Sequence, residues 1–156
     1  MRSTFAQISD REVAFTRLFD ASRETVWKAW TELRHLERWW GPNGFSITTH
    51  EFAFVPGGVW RFMMHDPDGT DNPNRVVFRE IDAPSRLVYE NRWDLPGAPL
   101  AFMGTITLVA VGANTRLTIH LRFDDAAAFQ TAVERYGVLK GGTETLDRIA
   151  DHLQQG

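Results

Sequence analysis

Two histidine–carboxylate pairs are the residues of this chain best suited to chemistry: His50-Glu51 and His65-Asp66. A histidine beside a carboxylate can move protons near neutral pH or share a metal ion. Both pairs lie in stretches that read as strands, where adjacent side chains point to opposite faces. Neither pair therefore converges on one atom without a bulge, and His50 cannot meet His65. A metal centre needs three or four convergent ligands, commonly with supporting contacts behind them. The run Asp66-Pro-Asp-Gly-Thr-Asp71 gathers three carboxylates around a glycine. It lacks the closing glutamate and flanking helices of an EF-hand calcium loop, so it reads as a solvated hairpin turn. Gly57-Gly58 is too short to cradle a phosphate. Ser22, Ser46 and Ser85 sit in no Gly-x-Ser-x-Gly nucleophile motif, and Lys28 and Lys140 in no activating one. No cysteine is present, which removes disulfide and thiolate chemistry. The expectation is no metal, no cofactor and no covalent catalysis.

Composition narrows the partners. The chain has 156 residues, the length of one domain with a substantial core. It is 43% hydrophobic and 24% charged with a net charge of −3, and it carries no basic stripe for nucleic acid. No window approaches the roughly 18 apolar residues of a membrane span, and residues 1–11 hold no apolar signal core. The expected compartment is the cytoplasm. Aromatic residues make up 12%, including 6 Trp and 11 Phe, and aromatics both fill cores and line small-molecule pockets.

The elements that would position these residues follow from periodicity. Residues 1–11 are polar and expected to be loosely held. Residues 13–19 read as a strand. Ser22 is placed to cap a helix, with Glu24 in its first turn and Val26, Trp27, Trp30 and Leu33 at helical spacing. A second short helix covers 33–39 and ends at Gly41-Pro42. Three hairpins follow: 46–54 with 59–65, 75–81 with 87–93, and 102–111 with 115–123. Their short turns make them antiparallel. Asp124 or Asp125 can cap a final helix whose apolar stripe runs from Phe129 to Leu153. Gly137, Gly141 and Gly142 interrupt that stripe, which suggests a kink, a break or close backbone approach.

Alternation assigns faces. Trp60, Phe62 and Met64 share one side; so do His50, Phe52 and Phe54; so do Leu87, Tyr89, Asn91 and Trp93; and so do Leu117, Ile119, Leu121 and Phe123. Phe78 is expected to face inward as well. The fold class is therefore α+β: a curved antiparallel sheet of six or seven strands around a C-terminal helix at about 125–153, with two short helices after the first strand.

Four segments, in order, carry a family resemblance. They are Phe15-Thr-Arg-Leu-Phe-Asp-Ala-Ser-Arg-Glu-Thr-Val-Trp-Lys-Ala-Trp30, Arg38-Trp-Trp-Gly-Pro42, Pro56-Gly-Gly-Val-Trp-Arg-Phe62 and Gly142-Thr-Glu-Thr-Leu-Asp-Arg-Ile-Ala-Asp-His-Leu153. Together they resemble the START-like (SRPBCC) superfamily, and within it the group named after the activator of the heat-shock protein 90 ATPase. The resemblance covers about 12–154 and implies a helix-grip fold with an apolar cavity between sheet and helix. The implied cavity wall takes His50, Phe52, Trp60, Phe62 and Met64 from the first hairpin. Phe78, Tyr89 and Trp93 come from the second, and Tyr136 and Leu139 from the helix. The glycines at 137 and 141 would leave volume beneath it, for a pocket of at least about 300 Å³. The expected function is binding of a small hydrophobic or aromatic molecule, with a homodimer possible. The alternative is an enzyme of the aromatase/cyclase or hydrolase type drawing on His50, Tyr89, Asn91 and Glu80. Third comes a co-chaperone, discounted because the proteins behind the group's name carry a further domain.

Overall fold

The computed structural model describes residues 3–155. It contains eight strands and four helices: β1 (Thr4–Ser9), β2 (Glu12–Phe19), α1 (Arg23–Thr31), α2 (Leu33–Trp39), β3 (Ser46–Phe52), β4 (Val59–His65), β5 (Asp71–Asp82), β6 (Arg86–Trp93), β7 (Leu100–Val111), β8 (Asn114–Arg122), α3 (Ala126–Tyr136) and α4 (Val138–Gln155). The strands form one antiparallel sheet in the order β1-β2-β8-β7-β6-β5-β4-β3. The α+β helix-grip expectation holds, with one strand more than expected. The additional strand is β1, in the segment expected to be loose. Its uncharged Thr-Phe-Ala-Gln-Ile-Ser run pairs with β2, Thr4 opposite Thr16 and Phe5 opposite Phe15.

Four irregularities bend the sheet. Each leaves one residue unmatched: Ile8 in β1, His50 in β3, Arg79 in β5 and Ala101 in β7. A bulge kinks its strand and raises the local twist, which lets a wide sheet coil around helices. The concave face then collects Val13, Phe15, Trp60, Phe62, Phe78, Tyr89, Leu117 and Ile119, all buried.

The helices cover this face. Ser22 accepts from the Thr25 amide and so caps α1; Asp125 accepts from the Ala128 amide and caps α3. The last helical segment is two helices rather than one. Gly137 adopts φ 61°, ψ 40°, the left-handed geometry that closes a helix, and α4 starts at the next residue. Leu146, Ile149 and Ala150 of α4 are buried against the sheet. Gly142 permits the approach: a side chain there would overlap the Phe15 ring of β2. Of the two glycines expected to leave volume, Gly141 is met by Pro42, whereas nothing lies within 4 Å of the side-chain position at Gly137.

Candidate functional site

The inner face of the sheet is aromatic, and one side chain closes it. Trp40, the residue after α2, is half-buried. Its ring lies 4.8 Å from Trp60, 5.9 Å from Phe62, 6.3 Å from Tyr89 and 6.0 Å from Trp30, mostly edge to face. The void left among the Trp30, Trp40, Trp60 and Tyr89 rings and Leu36, Val76, Phe78 and Leu87 is about 10 Å³, the space of roughly one water. Among the described residues, the void at this place falls far short of the expected cavity of at least about 300 Å³. A larger hollow of about 670 Å³ is a surface groove elsewhere, lined by Phe5, Arg17, Thr143, Asp147 and Asp151 and crossed by the Arg17–Asp147 ion pair at 2.6 Å.

Trp40 is held by its backbone. Arg148 of α4 donates to the carbonyls of Arg38 (3.2 Å), Trp40 (3.2 Å), Gly41 (3.0 Å) and Pro42 (2.8 Å). Burial lowers the pKa of this guanidinium from its ordinary range. One helical turn further, His152 Nε2 meets His35 Nδ1 of α2 at 2.8 Å. Burial depresses the pKa of both imidazoles. The loop after Trp40 carries glycines at φ 93° (Gly41) and φ 85° (Gly44), a conformation other residues adopt rarely. Loop and latch together set where the Trp40 ring sits.

Polar groups on the concave face are few. Tyr89 packs against Gly104 of β7 and is buried. Burial pushes this phenol's pKa well above its usual value. Asn91 donates to Asn74 Oδ1 at 3.3 Å, and both asparagines are buried. No group of three or more His, Asp or Glu side chains is placed to hold a metal among the described residues.

The sequence profile of the family described as "Activator of Hsp90 ATPase homolog 1-like protein" matches residues 20–154. The chain belongs to this family. Solved structures agree with the helix-grip architecture that members of this START-like family share. A solution structure from Arthrobacter aurescens is 26% identical, with a TM-score of 0.88, over 100% of this chain and 92% of that one. A crystal structure from Rhodobacter sphaeroides is 22% identical, with a TM-score of 0.85, over 100% of both chains. Protein Ms6760 from Mycobacterium smegmatis is 22% identical, with a TM-score of 0.87, over 98% of each. Among curated proteins, none matches the sequence.

In this Activator of Hsp90 ATPase homolog 1-like chain, the sequence-derived wall residues fall into three groups. Trp60, Phe62 and Tyr89 are buried on the concave face, as alternation predicted, and Phe78, on a strand where alternation is ambiguous, is buried there too. Phe52, Met64 and Leu139 lie half-buried against this core, and Trp93 lies half-buried beside Tyr136 instead. His50 and Tyr136 do not join the wall. His50 is the bulged residue of β3 and is exposed; across the bulge the inward set shifts from Ile47 and Thr49 to Phe52. Tyr136 is 61% exposed at the end of α3, its ring 6.5 Å from Trp93. The proposed acid–base set is also dispersed. Glu80 is exposed and pairs with Arg86 at 3.2 Å, while Tyr89 and Asn91 face inward. His65 and His120 bind Asp71 (2.7 Å) and Glu12 (3.0 Å) as outward pairs. Sequence reasoning missed Trp40 and Arg148. The signal for Trp40 was its position between a helix and Gly41-Pro42; Arg148 carried none, since its partners are backbone carbonyls.

Proposed function

We propose that the protein binds a small apolar or aromatic molecule against the concave face of the sheet, in the place now taken by the Trp40 ring. The observation that carries this reading is the way the aromatic face is closed. It is capped by one half-buried side chain on a glycine-flanked loop, not by the core-facing stripe of α4. START-like folds commonly bind hydrophobic ligands, which agrees with an interior whose inner surface is almost wholly apolar. The closed state lowers apparent affinity in proportion to the rarity of the open one. The acid–base alternative loses its support with His50 and Glu80 on the outside.

Titration with N-phenyl-1-naphthylamine, a neutral probe that brightens in apolar surroundings, tests the reading. Saturable brightening is expected with the wild-type protein, and at lower concentration with Trp40→Ala. A wild-type protein that gives no saturable signal up to the probe's solubility overturns it.

A further inference from the structure

We infer that the ligand carries an uncharged hydrogen-bond acceptor, a carbonyl on an aromatic body, that takes the indole N–H of Trp30 beside the place of the Trp40 ring. The inference rests on the binding reading above and specifies its chemistry.

The buried indoles are not treated alike. Trp39 Nε1 donates to the Ala29 carbonyl at 2.8 Å, and Trp60 Nε1 donates to Thr49 Oγ1 at 3.1 Å. Trp30 is 3% exposed, and its Nε1 has no partner among the described residues. Buried tryptophans usually find an acceptor for this group, because an unpaired buried donor costs more than an average hydrogen bond returns. The rings of Trp39 and Trp40 stand edge to face nearby, and an N–H to π contact is second-order beside a true acceptor.

Trp30 borders the same void as Tyr89. An indole N–H only donates; a phenol donates or accepts. A ketone oxygen accepts without donating, so it suits the unpaired indole N–H. The remaining lining is apolar, with Leu36, Val76, Phe78 and Leu87 among it and no charged side chain. An ionised group would lose its hydration there with no counter-charge in return. The polar end of the ligand is therefore neutral, and its body meets the rings of Trp40 and Trp60.

A matched pair of probes tests this: 1-acetonaphthone, and 1-ethylnaphthalene, which keeps the shape but lacks the carbonyl. Affinities are measured by calorimetry, and the indole N–H signals by NMR of protein labelled with ¹⁵N-tryptophan. The ketone should bind about tenfold more tightly, one hydrogen bond's worth. It should move one indole signal downfield, the one absent from Trp30→Phe, whereas the hydrocarbon should leave that signal in place. Trp30→Phe should bind both probes alike; if that variant does not fold, the wild-type comparison and its shifted signal decide alone. Equal wild-type affinities with an unmoved indole signal overturn the carbonyl inference and leave the binding reading standing. Failure of both probes to bind overturns the two together. A water that stays on Trp30 Nε1 with the ketone bound also overturns the carbonyl inference.

Discussion

At the scale of single residues, tight packing on the concave face gives sharp expectations. A methyl group on Gly104 would stand 2.7 Å from the Tyr89 hydroxyl and overlap its ring. Overpacking of this kind costs about 1–3 kcal/mol. Gly104→Ala should therefore lose stability in urea denaturation, and adding Tyr89→Leu should restore much of the loss. Trp30→Ala removes a large buried ring and should cost about 3–5 kcal/mol, read as a fall in melting temperature. The inward positions of β4, β6 and β8 were legible because strand period 2 runs unbroken through Trp60-Phe62, Leu87-Tyr89-Asn91 and Leu117-Ile119-Leu121. It failed at His50 and blurred around Phe78, and both places adjoin a bulge. No alternation rule detects a residue that sits opposite nothing.

At the scale of elements, the contact between α2 and α4 is the one to probe. Arg148→Ala removes a charged donor shared by four carbonyls and frees the loop that carries Trp40. Bonds to charged groups contribute about 1.5–3 kcal/mol. The variant should lose stability on that order and show altered tryptophan fluorescence. Arg148→Lys should not restore it, since one ammonium cannot span acceptors that a planar guanidinium reaches. The histidine pair adds a pH term. Glu32, Arg34, Arg38 and Lys28 surround His35, and Arg38 faces His152. Burial, reinforced by the neighbouring cations, holds both imidazoles below the ordinary 6.5, so the unfolded chain takes up protons that the folded pair refuses. Stability must then fall as pH drops below 6.5, and level off once the folded pair is itself protonated. Glu12 and Glu90, both held low by hydrogen bonds and cations, contribute only at more acid pH. Denaturation midpoints at about pH 7.5 and 5.5 should differ in the wild type, and less so in His152→Gln. The helices themselves were legible from caps and stripes. That Gly137 ends one helix and Gly142 seats another against Phe15 was not, because both outcomes appear in sequence only as a glycine.

At the scale of the whole molecule, eight strands in one open sheet leave β1 and β3 at the edges and β8, β7 and β6 near the middle. Amides of central strands should exchange slowest with solvent and those of β1 and β3 first, a ranking that exchange mass spectrometry reads directly. Topology was legible because consecutive hairpins leave few alternatives. The state of the interior was not: sequence shows which rings point inward, and only packing shows that Trp40 stands among them. The bulge in β3 has a consequence for how this strand tolerates insertion and loss. Shortening a strand by one residue ordinarily turns everything beyond it inside out. Here the chain already carries a spare position, since Thr49 opposes Phe62, Glu51 opposes Arg61 and His50 opposes nothing. Removing His50 outright should leave Thr49 and Phe52 facing inward and yield a folded protein with a straighter edge, whereas deleting Ile47 or Arg61 should not.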